Sequence, residues 1–189
     1  MLSNINGYTT VGGITAVLGA SGSGKTVLLQ ALAGRMASIP GLFVSGGINL
    51  LGKKLDGETL NERIRFCPTT NDHLVGVLTV EEHLQFSSRL ANAGYTNAEQ
   101  DAFVATLMDK ISLTEVKDSR IGTTYKRGIS GGQQRRVCTA IDLAANAGLM
   151  VLDEPTSGLD TTTAVQTLAC VKELISNDLS EKRSAIVTL

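Results

Sequence analysis

The sequence predicts an α/β fold in which a mainly parallel sheet carries a small antiparallel β region and an inserted helical lobe. Three observations predict it. Short apolar, β-branched runs alternate along the chain with stretches of helical periodicity. A glycine-rich loop follows the first such run and opens a helix. Two T-x-x-E pairs stand ahead of amphipathic stretches in the middle of the chain.

In chain order, Ile14 to Leu18 reads as a strand, followed by the glycine loop and a helical pattern through Val27, Leu28, Ala31 and Leu32. Between Leu42 and Leu55 two β-prone pieces surround Gly46-Gly47, with a second turn at Gly52, which predicts the antiparallel region. Arg63 to Cys67 reads as a core strand stopped by Pro68. Thr79 with Glu82 and Thr96 with Glu99 fit capping boxes that open two helices. A third helix begins near Ser130 and turns Val137 and Ile141 inward. Leu149 to Leu152 reads as a buried strand; Val165, Leu168, Val171 and Ile175 mark a further helix; Ser184 to Leu189 reads as a final strand.

At 189 residues the chain suits one packed domain, with residues 1–70 and 142–189 as its core and 71–141 as the helical lobe. Seventeen Lys+Arg against eighteen Asp+Glu leave no basic field to gather nucleic acid or anionic lipid, so nucleic acid is not an expected partner. Cys67, Cys138 and Cys170 are odd in number, far apart and in no C-x-x-C arrangement, which argues against a disulfide framework or a zinc site and for a reducing, cytosolic setting. No run of eighteen apolar residues occurs, and Met1-Leu2-Ser3-Asn4 lacks the positive start of a signal peptide, so the chain itself is not expected to span a membrane.

Gly19-Ala20-Ser21-Gly22-Ser23-Gly24-Lys25-Thr26 matches G-x-x-x-x-G-K-[ST] in full, between a predicted strand and a predicted helix. Backbone N–H groups of such a loop wrap phosphates, and the helix N-terminus adds a favourable dipole. Lys25 would neutralise β/γ-phosphate charge, and the Thr26 hydroxyl would ligate Mg²⁺. Asp153 and Glu154 follow the apolar Leu149–Leu152 run, at the end of a strand where open α/β sheets hold ligands. Asp153 would hold Mg²⁺ through water, and Glu154 would polarise an attacking water as general base.

Arg127-Gly128-Ile129-Ser130-Gly131-Gly132-Gln133 opens a predicted helix, and Ser130 lies 23 residues before Asp153. Ser130 and the glycine N–H groups there form a second anion site at a helix N-terminus. The segment resembles the signature sequence of ABC ATPases, with Ile129 in place of the commoner leucine. Ser157-Gly158-Leu159-Asp160 resembles the D-loop of that family. Leu32-Ala33-Gly34-Arg35, the Arg127-Gly128 pair and the form of the D-loop are similar to the G subfamily, the white and pleiotropic-drug-resistance transporters.

The resemblance implies a P-loop NTPase (RecA-like) domain that binds ATP and Mg²⁺, with Val27 also bordering the nucleotide in place of a common second threonine. It implies a head-to-tail pair of nucleotide-binding domains, in which ATP at Lys25 of one meets Ser130, Gly131, Gly132 and Gln133 of the other. It also implies a transmembrane domain that this sequence does not contain, with the ATPase at the cytoplasmic face of the membrane.

Against the family pattern, Thr70 stands where a glutamine normally contacts Mg²⁺ and the transport domain, and Thr70 is a further metal candidate. Ala185 to Leu189 resembles the strand leading into the switch histidine of the family, and the aromatic-bearing strand expected ahead of Gly19 is largely missing, Tyr8 falling at a turn. The chain therefore reads as truncated at both ends, with ATP binding kept and hydrolysis impaired. His73 and His83 read as surface histidines. A second reading stays open: a catalytically inert nucleotide-binding or regulatory module that pairs with a full-length transporter. A soluble phosphotransferase explains neither Ser130–Gln133 nor Ser157–Asp160.

Overall fold

Strands β1 (Ile14–Val17), β4 (Ile64–Cys67), β5 (Leu149–Leu152) and β6 (Ser184–Thr188) form one parallel sheet in the order β1-β6-β5-β4. The computed structural model describes residues 2–36, 43–55, 63–123, 125–145, 147–176 and 183–189. Register sets Ile14 beside Ala185, Leu149 beside Ser184 and Ile64 beside Leu149, so all four strands end on the same side of the sheet. The antiparallel pair is β2 (Asn49–Leu50) with β3 (Lys53–Lys54). Helices α1 (Lys25–Leu32), α2 (Val80–Ala91), α3 (Asn97–Lys110), α4 (Gly131–Ala144) and α5 (Thr161–Ser176) complete the described elements, with a 3₁₀ turn at Thr114–Val116.

The four residues of β5 are all buried, and their alternation explains why. Met150 and Leu152 enter the larger core cluster with Leu84, Leu107, Val137 and Val171, while Leu149 and Val151 join Leu29, Ala33 and Ile64 on the opposite face. A parallel strand covered on both faces has no use for polar alternation, which is why it reads as a continuous apolar run. Helices α2, α3 and α4 pack on one another over the larger cluster.

Both capping boxes form: Thr79 and Thr96 accept from the N–H groups of Glu82 and Glu99, whose carboxylates accept in return from the backbone N–H of each threonine. Val137 and Ile141 are buried as their spacing predicts. The hairpin turn falls at Leu51 and Gly52, both in the left-handed region at φ 51° and 78°, so the turn expected at Gly52 joins the two strands and Gly46-Gly47 lies ahead of them; Leu42 lies outside the described residues. Leu18 is 73% exposed and belongs to the loop after β1, and Val165 is exposed on α5, whose buried stripe is Thr167, Cys170, Val171 and Ile175. His83 is not a surface residue: it is buried, its Nε2 accepts from the N–H of Val75 at 3.1 Å, and Ser87 faces its Nδ1. Burial lowers its pKa, in keeping with a neutral ring that accepts a backbone bond. The three cysteines are buried free thiols. Among the described residues no helix is long and apolar enough to cross a membrane.

Asp142, buried on α4, meets Arg65 of β4 at 3.6 Å, and its Oδ2 has no hydrogen-bond partner among the described residues. Burial outweighs the neighbouring cations and pushes its carboxyl up to about 6. An acid whose pKa is higher in the folded than in the unfolded chain costs stability as pH rises between the two values. The unaltered protein should therefore lose stability relative to Asp142→Asn from about pH 4 to about pH 6. Urea midpoints of the two proteins across that interval measure it; a constant difference would contradict the assignment.

Candidate nucleotide site at the carboxyl ends of the strands

The loop after β1 turns into α1 through Gly24, the N-cap residue, at φ 94° and ψ 16°. That conformation is easily reached only without a Cβ, and it leaves the cap without a side-chain acceptor for the first N–H groups of the helix. No acidic residue lies in the first turn of α1 to compete for them. The Lys25 ammonium bends back over the loop, donating to the carbonyls of Gly19 at 2.7 Å and Ala20 at 3.3 Å. Thr26 and Val27 are exposed on the first turn.

Asp153 follows β5 and is 1% exposed. Its Oδ2 accepts from the Thr69 hydroxyl at 2.9 Å and its Oδ1 from the Thr188 hydroxyl at 2.7 Å, so neighbouring strand ends on either side aim the carboxylate. The Thr188 oxygen accepts in turn from the N–H of Glu154 at 2.8 Å. Glu154 is half-buried and sits in the left-handed region at φ 47°, a conformation that costs an ordinary residue about 1–2 kcal/mol. Thr70 is exposed, and it is Thr69 whose hydroxyl reaches Asp153.

Ser130 caps α4 in a reciprocal box: Gln133 N–H donates to its hydroxyl at 3.3 Å, and Ser130 N–H donates to Gln133 Oε1 at 2.8 Å. A β-carbon placed on Gly131 would meet open space, whereas one on Gly132 would lie 3.4 Å from the Leu159 side chain and 3.7 Å from the Gly158 carbonyl. The two glycines thus differ: one presents bare backbone and the other admits the segment 157–160. Asp160 caps α5, accepting from Thr163 N–H at 3.1 Å and its hydroxyl at 2.7 Å; these bonds lower its pKa. Among the described residues, no hydrogen bond or ion pair joins the loop 19–27 to the segment 130–133.

Three residues at this end of the sheet escape sequence reasoning: Thr69, Thr188 and Arg135. Arg135 is buried on α4, and its guanidinium donates to the carbonyls of Pro68, Asp153 and Glu154. Only strand order could have signalled the two threonines, because Thr69 lies two residues past Cys67 and Thr188 one residue past Val187, the partners of Leu152 on its two sides.

A phosphate loop at the amino end of a helix, on the same edge of a parallel sheet as an acidic pair two strands away, defines a P-loop nucleotide-binding domain. Sequence comparison gives the particular family: the family model described as ABC transporter matches residues 2–157, and the chain belongs to that family. Its relatives are of the G-family type. Over 192 residues it is 37% identical to ABC transporter G family member 24 of Dictyostelium discoideum, covering 100% of this chain and 16% of that protein. It is 40% identical over 182 residues to ABC transporter G family member 1 of Arabidopsis thaliana, covering 92% of this chain and 23% of that protein. The chain thus spans less than a quarter of the length of these relatives.

The fold is similar to a dimeric ATP-binding cassette, MJ0796, bound to ADP and phosphate in a post-hydrolysis state (TM-score 0.75, 24% identity, 99% of this chain and 78% of that one). It is similar also to a putative ABC transporter ATP-binding protein from Pyrococcus furiosus (TM-score 0.73, 23% identity, 95% of this chain and 79% of that one). These two likenesses concern the fold.

Proposed function

We propose that this chain binds MgATP between the loop Gly19–Val27 and the pair Asp153-Glu154, as one half of a head-to-tail pair of nucleotide-binding domains. The observation that carries the proposal is the shared carboxyl edge of the sheet, with Lys25 folded over the loop and Asp153 aimed by Thr69 and Thr188. The donor set suits a hard cation, since the hydroxyl of Thr26 and the carboxylate of Asp153 are both oxygen ligands. When bound, Mg²⁺ neutralises charge on the transferring phosphate oxygens. The N–H groups of the loop and the Lys25 ammonium bind the β- and γ-phosphates. The Glu154 carboxylate accepts a proton from the attacking water, and its backbone bond to Thr188 keeps it in line with Asp153. Ser130, Gly131, Gly132 and Gln133 meet the nucleotide held by the second domain, with Gly158 and Leu159 beside Gly132. The pair drives movement of substrate through a transmembrane domain at the cytoplasmic face of a membrane.

A second reading is a nucleotide-binding module without turnover of its own, which rests on Thr70 in place of the family glutamine. Phosphate release at saturating MgATP separates the two.

The first test is binding. At 100 times its dissociation constant, MgATP should stabilise the chain by about 2.7 kcal/mol, read as a rise in melting temperature. Lys25→Ala removes a charge-assisted contact and should weaken affinity by about 10- to 100-fold. Equal melting curves with and without MgATP, in both proteins, would end the proposal.

A further inference from the structure

We infer that Arg135 is a positioning residue that holds the backbone of Asp153 and Glu154 in place from the signature helix; the inference rests on the nucleotide reading given above. Arg135 lies one turn beyond the Ser130 cap and is 4% exposed. Its Nη1 donates to the carbonyl of Pro68, which follows β4, and its Nη2 to the carbonyls of Asp153 and Glu154, which follow β5, the latter at 2.9 Å. One planar guanidinium thereby ties two adjacent strand ends to one helix.

The choice of carbonyls matters. The carbonyl of Asp153 belongs to the peptide unit before the Glu154 Cα, and the carbonyl of Glu154 to the unit after it. Fixing both planes fixes φ and ψ of Glu154, and Glu154 is the residue held at φ 47°. Burying a cation is expensive unless its donors are used, so helix packing alone would be better served by an apolar side chain of similar volume. Neighbouring side chains on α4 turn elsewhere: Arg136 donates to the carbonyls of Ile111 and Ser112, and Gln134 to that of Ile121. The fork geometry also separates Arg from Lys, whose ammonium is a point charge without a planar array of donors. The same guanidinium joins the segment that faces the second nucleotide to the segment that serves the first.

The test compares the unaltered chain with Arg135→Gln and Arg135→Lys. ATP affinity is measured in EDTA, and then the Mg²⁺ concentration that produces half of the metal-dependent gain in affinity. Supporting-residue substitutions around a metal typically cost about 10- to 100-fold in metal affinity. The expected result is therefore a rise of about 10-fold or more in the Mg²⁺ midpoint for Arg135→Gln, a smaller rise for Arg135→Lys, and ATP affinity in EDTA within about 2-fold of the unaltered chain. A helix tie with no bearing on the acidic pair would lower the melting temperature and leave the Mg²⁺ midpoint where it was; that result, or an equal loss with and without Mg²⁺, overturns the inference. Should Arg135→Gln show no cooperative melt, Arg135→Lys carries the same comparison. An unaltered chain that binds no ATP, or gains nothing from Mg²⁺, overturns the nucleotide reading, and the inference falls with it.

Discussion

Replacing Glu154 by glutamine is expected to lower phosphate release at saturating MgATP by about 10²- to 10⁴-fold, the range typical of losing a positioned general base. The substitution is nearly isosteric, and the bond from the backbone N–H of Glu154 to the Thr188 hydroxyl does not involve the altered side chain, so the fold has little reason to change. Ground-state contacts to the nucleotide come from the loop and from Asp153, so MgATP affinity should stay within about threefold; an effect confined to kcat marks an interaction made in the transition state. Single-turnover phosphate release with an independent binding isotherm checks both halves. Equal rates in the two proteins would remove Glu154 from the chemistry. A parallel loss of affinity would recast it as a binding residue.

The second large effect is structural. A β-carbon at Gly128 would lie 2.2 Å from the Ile121 carbonyl oxygen, 2.4 Å from its carbon and 2.5 Å from the Arg120 carbonyl oxygen. Backbone cannot swing aside as a side chain can, and the same stretch is pinned by the bonds Ile129 N–H to Arg120 and Ile121 N–H to Leu78. Gly128→Ala should therefore destabilise the protein by about 3 kcal/mol, the upper part of the range for overpacking. For a chain of this size that corresponds to a melting point lower by about 10 °C. Because Gly128 is two residues ahead of Ser130, the displacement reaches the cap of α4. Gly131→Ala is the control, since its added methyl would meet open space and a small change in melting temperature is expected. If both variants melted alike, steric crowding would not be the reason for glycine at 128.

Much of this architecture was legible in the sequence, for a physical reason. The apolar runs at β1, β4, β5 and β6 belong to a sheet, and β5 in particular is covered on both faces, so burial wrote itself into composition. The threonine and serine caps announce three helices because a helix start has few chemical solutions. The hairpin turns at Gly52, the second of the two glycine turns read there, because a glycine reaches the left-handed region freely; that Leu51 joins it at φ 51° has no signal in the sequence. His83 looked superficial because a histidine that accepts a backbone bond carries no distinct pattern. The supports of the candidate site were invisible for another reason: Thr69 and Asp153 are 84 residues apart, Thr188 and Asp153 are 35 apart, and Arg135 and Pro68 are 67 apart. Such pairs come from strand order, which local periodicity does not encode.

That strand order has a metrical consequence. β6 lies between β1 and β5, so the phosphate loop and the acidic pair leave the sheet two strand spacings apart. Adjacent strands are about 4.8 Å apart, which makes the separation about 10 Å. The distance is a property of backbone hydrogen bonding and does not depend on the length of whatever joins the strands. The sheet acts as a ruler, and the long helical excursion between β4 and β5 can lengthen, shorten or tilt without altering the gauge.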